Sequence, residues 1–209
     1  MVFSPESIAL SAVSLGLTMV YGVARIIINK KILQLQTWGI VIPSNSGKST
    51  LLQTFLNTFG EIETNIVMMD IEQQVYDSSD FTDSQKAELD SLIMSDSHLY
   101  EAKMMTYSKH LFDKNSVLIK QSNPNKKIVV LASTAGIITN LGINTYYTFS
   151  PSPKLQKIIS TVRTEAEPIA LNFIKYTISK INQKLKTNYT YNDFDELFNQ
   201  VCLKLNIKN

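Results

Sequence analysis

Short, nearly continuous apolar runs alternate along this chain with segments whose apolar residues recur every three or four positions. The runs are Trp38-Gly-Ile-Val-Ile42, Asn65-Ile-Val-Met-Met-Asp70, Ile128-Val-Val-Leu-Ala132 and Thr145-Tyr-Tyr-Thr-Phe149. Each has the length and composition of a strand buried on both faces. Leu51, Leu52, Phe55, Leu56 and Phe59 mark one face of a helix that Gly60 ends. Residues 82–113 predict helix in two pieces, marked by Leu89, Leu92 and Ile93, then by Tyr100, Met104, Tyr107 and Leu111. Gln121 to Asn125 predicts a loop. Three further helices are expected near 153–164, 168–186 and 193–205, the last with Phe194, Leu197, Phe198, Val201 and Leu205 on one side. Strands alternating with helices predict an α/β fold, a three-layer parallel sheet with helices on both faces. Ligands in such sheets bind beyond the carboxyl ends of the strands. Residues 43–50, Asp70, Ser133-Thr134 and Ser150 all fall at such ends.

A different pattern precedes the first strand. From Ile8 to Ile28 the chain is apolar except for Ser, Thr, Gly, Tyr and Arg25, and Ser4-Pro5-Glu6 is a good helix start. An apolar helix is therefore expected within residues 1–31, ahead of a domain at 32–209. The stretch is long enough to cross a bilayer. Lys30 and Lys31 after it would place the remainder in the cytoplasm. No basic residue precedes it, so it does not resemble a cleavable signal. Ser7, Ser11, Ser14, Thr18, Gly22 and Arg25 share one helical face. That stripe suits packing against a membrane helix, and it suits docking on a partner protein equally. The expectation is a membrane anchor or a docking helix at 8–28, with a plain core helix as the remaining alternative.

The segment between the first strand and the first helix is Pro43-Ser-Asn-Ser-Gly-Lys-Ser-Thr50. Successive backbone N–H groups leading into a helix N-terminus make an anion site. The stretch resembles the phosphate-binding loops of the P-loop NTPase superfamily, G-x-x-x-x-G-K-[ST]. It is most similar to the G-P-S-G-S-G-K-S-T loops of nucleotide kinases and stands here as I-P-S-N-S-G-K-S-T. The resemblance implies that Pro43, Ser44, Asn45, Ser46, Gly47, Lys48, Ser49 and Thr50 bind ATP. Lys48 would reach the outer phosphates and Ser49 would hold magnesium. Two glycines of that pattern are replaced, by Ile42 and Asn45. Asn tolerates positive φ, so Asn45 can keep the turn, whereas Ile42 cannot make the same turn without cost. The resemblance covers about residues 36–165, and only Gly47-Lys-Ser-Thr50 is specific. A Ser/Gly-rich turn with no ligand is the alternative.

Phosphoryl transfer also needs a metal and charge neutralisation. Asp70, at the tip of an apolar strand, is the candidate second metal ligand or base near Ser49, with Glu72 in reserve; a helix cap or loop acid is the competing role for Asp70. Ser133 and Thr134 end the third strand, where many P-loop proteins carry an acid. They would hold a water or phosphate oxygen, or cap the turn that follows. Arg163 follows Thr145-Tyr-Tyr-Thr-Phe-Ser-Pro-Ser-Pro-Lys-Leu-Gln-Lys-Ile-Ile159, a stretch similar to the strand, proline turn and helix that lead to the lid arginines of nucleotide kinases. By that resemblance Arg163 clamps phosphates; a surface pair with Glu165 or Glu167 is the alternative. His98 and His110 are too far apart, with no nearby Cys, to suggest a metal site. Cys202 lies beside an apolar stripe and is expected in the core. A GTPase is excluded, since Ile-Glu-Gln follows Asp70 and Asn125-Lys-Lys-Ile carries no Asp.

Composition narrows the picture only a little. The 209 residues carry a net charge of +2, which does not indicate nucleic acid as a partner. One cysteine excludes an internal disulfide and suits a reducing compartment. The first functional expectation is an ATP-binding protein that transfers or hydrolyses the γ-phosphate with magnesium. Its insert at 71–125 carries Asp77, Asp80, Asp83, Glu88, Asp90 and Asp96, which favours a protein partner or water over a phosphorylated acceptor. The second is a non-enzymatic assembly protein that keeps the fold as scaffold, its helix set in a membrane or in a larger particle such as a viral shell. The third is a motor ATPase, in which only Arg163 could serve as arginine finger. An oligomer is compatible with each. The matching locations are the cytoplasm, a membrane reached through 8–28, or a virion.

Overall fold

The computed structural model describes residues 37–59, 65–122, 124–166, 171–184 and 188–207, and the side chains at 162–166, 171 and 182–184 lie outside that description. The apolar helix expected at 8–28 and the stop at Gly60 also lie outside the described residues. Among the described residues no helix is long and apolar enough to cross a membrane.

The fold is α/β, with a five-stranded parallel sheet and helices around it. The strands are β1 (Thr37–Val41), β2 (Ile66–Asp70), β3 (Lys127–Ala132), β4 (Tyr146–Pro151) and β5 (Asn188–Tyr191), in the order β2-β3-β1-β4-β5. The helices are α1 (Lys48–Phe59), α2 (Ile71–Asp77), α3 (Asp83–Ser95), α4 (Ser97–Ser122), α5 (Ala135–Asn140), α6 (Pro153–Ala166), α7 (Leu171–Lys184) and α8 (Phe194–Leu205).

The central strands read as continuous apolar runs because both of their faces are covered. On one face Ile40, Ile42, Val129, Leu131 and Phe149 pack against Leu51 and Phe55 of α1 and against Leu197, Val201 and Leu205 of α8. The alternate residues Val41, Ile128, Val130 and Ala132 are equally buried. Gly39 shows what they meet, because a methyl group there would come within 2.5 Å of Ile138 Cγ2 on α5 and 2.8 Å of Tyr146 Cβ. The helix lies so close to β1 at this point that the strand has no room for a side chain.

Three elements depart from the expectation. α2 follows β2 without a loop, because the Asp70 carboxylate caps it by accepting from the Glu72 and Gln73 amides at 3.1 and 3.2 Å. α5 is a short helix capped by Thr134, whose hydroxyl accepts from the Ile137 amide at 3.4 Å. β5 is a four-residue edge strand paired with β4 from Thr148↔Asn188 to Pro151↔Tyr191. The helical pair expected at 82–113 is α3 and α4, with a break at Asp96. The second helix runs on to Ser122, near the first proline able to stop it, Pro124. Gln121 and Ser122 are thus helix rather than loop.

Gly39→Ala is expected to lower stability by about 1–3 kcal/mol, since α5 must move to admit the methyl group. Urea unfolding measures this directly, and an unchanged midpoint would contradict the close approach of α5 to β1.

Candidate functional site

Strand register sets the site. Val41 pairs with Ala132 and Asp70 with Leu131, so the residues after β1, β2 and β3 emerge at one level. The connection leaving β1 leads to β2, beyond β3, whereas the one leaving β3 leads to β4, beyond β1. Neighbouring strands whose connections part in opposite directions leave a crevice past their carboxyl ends. A cleft of about 280 Å³ lies there. Ser44, Asn45 and Gly47 to Thr50 line one side, Asp70, Glu72 and Gln73 a second, and Tyr76, Ile93, Tyr100 and Phe173 an aromatic and apolar end.

The loop takes a defined shape. Ile42 is fully buried and its amide donates to Ala132 O at 3.0 Å, so it extends β1 and makes no turn. The cost expected of Ile42 is therefore not incurred, because the turn starts one residue later. Asn45 carries φ 58° and Gly47 φ 102°, both in the region where a side chain is strained and Asn is the best-tolerated substitute for Gly. The first intrahelical bond of α1 runs from the Leu51 amide to Gly47 O at 2.8 Å. The amides of Lys48, Ser49 and Thr50 thus precede the helical ladder. No acidic residue of α1 itself stands in its first turn, so the helix supplies no charge of its own to offset the positive end of its dipole.

Lys48, the first residue of α1, sends its ammonium between two carboxylates. Nζ lies 3.0 Å from Asp70 Oδ1 and is also ion-paired with Glu72 Oε2. The three side chains are 12 %, 5 % and 8 % exposed, which makes this a buried cluster rather than a surface pair. Burial alone would push the ammonium down. Glu72 and then Asp70 outweigh it, and Lys48 stays charged well above the ordinary lysine range. Glu72 is itself fixed, since its oxygens accept from the Ser133 amide at 2.8 Å and from the Ser133 hydroxyl at 2.7 Å. Asp70 thus takes the helix-cap role at α2 and, in addition, pairs with Lys48.

Several expected residues stand elsewhere. Ser133 does not line the cleft but holds Glu72, and Thr134 caps α5. Ser150 accepts from Asn188 Nδ2 at 2.6 Å within the β4–β5 pair and is also absent from the lining. Arg163 lies on α6, and its side chain is outside the described residues. His98 meets the Tyr176 hydroxyl at 3.2 Å and His110 faces Asp80 at 3.6 Å. Cys202 is buried, and burial pushes its thiol up to about 11, as suits a core residue. The acids of the insert are largely engaged: Asp80 with Lys114 at 2.7 Å, Glu88 with Lys103 at 2.5 Å, and Asp96 with the amides that begin α4.

Two residues that hold the loop carry no mark in the sequence. The Tyr191 hydroxyl donates to Ser46 O at 2.5 Å, and Thr177 Oγ1 accepts from the Ser44 amide at 3.2 Å. Both reach the loop from more than a hundred residues away, so no local pattern could reveal them.

The chain matches no protein-family model and no curated protein. Among solved structures it is similar to an unliganded sugar kinase from Janibacter sp. HTCC2649, at 12 % identity and a TM-score of 0.41. That match covers 82 % of this chain and 95 % of the other. It is also similar to an uncharacterized protein from Eubacterium ventriosum ATCC 27560, at 11 % identity and a TM-score of 0.39, covering 82 % and 98 %. Likenesses this slight carry no argument about chemistry.

Lys48→Met strands two buried carboxylates and should cost about 3–5 kcal/mol at neutral pH, part of it recovered by adding Asp70→Asn. The raised ammonium adds stability that is complete below about pH 10.4, the unfolded value, and is lost only as pH climbs through the higher folded value. The stability gap between wild type and Lys48→Met, read by urea unfolding, should stay constant from pH 7 to about 10 and narrow above that. A gap already absent at neutral pH would contradict the buried cluster.

Proposed function

We propose that the Pro43–Thr50 loop binds the phosphates of a nucleoside triphosphate, and that the cleft beside it is an ATP site. The observation that carries this reading is a buried, charged Lys48 beside three helix-end amides that precede the ladder, all bordering one cleft. Such a constellation attracts an anion with several oxygens. The aromatic end of the cleft, with Tyr76, Tyr100 and Phe173, offers flat apolar surface for the rest of the ligand. In the proposed complex Lys48 exchanges its carboxylate partners for phosphate oxygens.

Magnesium fits this donor set only in company. Among the described residues no group of three or more His, Cys, Asp or Glu side chains could hold a metal ion. Magnesium commonly takes one or two carboxylates together with substrate phosphates. Ser49 and Asp70 would hold it, and when bound it would neutralise phosphate charge. Phosphoryl transfer or hydrolysis is the reaction class this reading supports. Lys48 and Asp70 would act at the phosphates, and Arg163 on α6 is the proposed clamp. The engaged acids of the insert favour water or a partner protein as acceptor. Residues 8–28 are proposed to attach the domain to a membrane or a partner.

One observation favours a second reading, that of a scaffold. Lys48 is already neutralised, and Ser133 anchors Glu72, so the site is self-satisfied without a ligand. Titration of the full-length chain with ATP and magnesium, with phosphate release followed alongside, separates the two. Binding below millimolar is expected, weakened about tenfold or more by Lys48→Ala. Binding without release supports the scaffold. No binding at millimolar ATP overturns the proposal.

A further inference from the structure

α7 lies far from the loop in sequence, yet one of its faces reaches both the cleft and the loop. Phe173, Tyr176, Thr177 and Lys180 stand three and four residues apart and so share that face. Phe173 lines the cleft and meets the Tyr100 ring edge-on, with centroids 4.7 Å apart. The Tyr176 hydroxyl donates to Glu101 on α4, and Lys180 lies 3.6 Å from the same carboxylate. Thr177, fully buried, turns to the loop. Its hydroxyl donates to Ile174 O at 3.0 Å, which leaves a lone pair for the Ser44 amide at 3.2 Å. The proton of this hydroxyl is used within α7, so toward the loop it acts as an acceptor only.

We propose that Thr177 is a positioning residue for the phosphate loop, a role that rests on the nucleotide reading above and deepens it. The loop carries a non-glycine residue, Asn45, in a left-handed conformation. Such a conformation persists only where its surroundings over-determine it. Two ties bracket Asn45. On its C-terminal side Tyr191 donates to Ser46 O, and on its N-terminal side Thr177 accepts from the Ser44 amide. The first tie belongs to the sheet, through β5. The second comes from α7, the helix that also supplies Phe173 to the lining of the cleft. Without the Thr177 hydroxyl the Ser44 amide loses its acceptor, and the turn that presents Gly47 and Lys48 loses its fixed start.

Thr177→Val keeps the shape and removes the hydroxyl; Thr177→Ser keeps the hydroxyl and removes a methyl group; Thr177→Ala replaces the first variant should valine not fold. Three measurements on the full-length chain are compared: ATP–magnesium affinity, amide hydrogen exchange at Ser44 without ligand, and the urea midpoint. Thr177→Val should weaken ATP binding about fivefold to tenfold and speed Ser44 exchange about tenfold, while Thr177→Ser stays within about twofold of wild type in both. A merely structural threonine would shift the midpoint and leave affinity unchanged in the folded fraction. Wild-type affinity and wild-type Ser44 exchange in Thr177→Val would overturn the proposal, as would equal impairment in Thr177→Ser. If the wild type binds no ATP, the nucleotide reading fails on its own, and the Ser44 exchange rates still decide whether Thr177 fixes the loop.

Discussion

The ammonium of Lys48 set between Asp70 and Glu72 is the interaction on which the rest of this end of the molecule depends. Three strand tips meet through it. Lys48 starts the helix that follows β1, Asp70 ends β2, and Glu72 is bound by Ser133 at the end of β3. Taking three charges out of water is costly, and the mutual attraction repays it only when the remaining oxygens are also satisfied. Glu72 meets that condition at both oxygens and Asp70 at Oδ1. Oδ1 of Asp70 accepts from two amides as well as from Lys48, and both oxygens of Glu72 are engaged by Ser133. The same contacts cap α2, so one cluster fixes both the start of a helix and the position of a charge.

The cluster also sets the terms on which a ligand could bind. An incoming polyphosphate competes with two carboxylates for one lysine, and its negative charge is unwelcome beside them unless a cation accompanies it. The helix-end amides and the acid-free first turn of α1 pull in the opposite direction. In the proposed complex affinity comes from the difference between these two, and the pre-set shape of the loop decides how much is lost in ordering it. Tyr191 and Thr177 hold that shape from β5 and α7, outside the loop itself.

Much of the fold was legible because buried parallel strands have a simple pattern. Four apolar runs mark four of the strands to within one or two residues, and Leu51, Phe55, Leu197 and Val201 mark the buried faces of α1 and α8. β5 was not, since Asn188-Tyr-Thr-Tyr191 is short, edge-placed and half polar, and only its pairing with β4 makes it a strand. In the site, positive φ at Asn45 followed from what Asn tolerates. Motif spacing puts Ile42 in the turn, whereas burial puts it in the extension of the strand and in the core. The role of Ser133 is not legible, because its partner, Glu72, is sixty-one positions away and is brought there by register. Contacts of that kind depend on topology, which residue type and spacing do not encode.

The central claim, that Lys48 is held by carboxylates it must leave for phosphate, is tested most directly by calorimetric titration of the full-length chain with metal-free tripolyphosphate. Wild type is compared with Asp70→Asn, in which the cap of α2 survives and one of the two competing charges is gone while Glu72 remains. The account predicts tighter binding by Asp70→Asn, by about fivefold or more. Equal or weaker binding in that variant would contradict it.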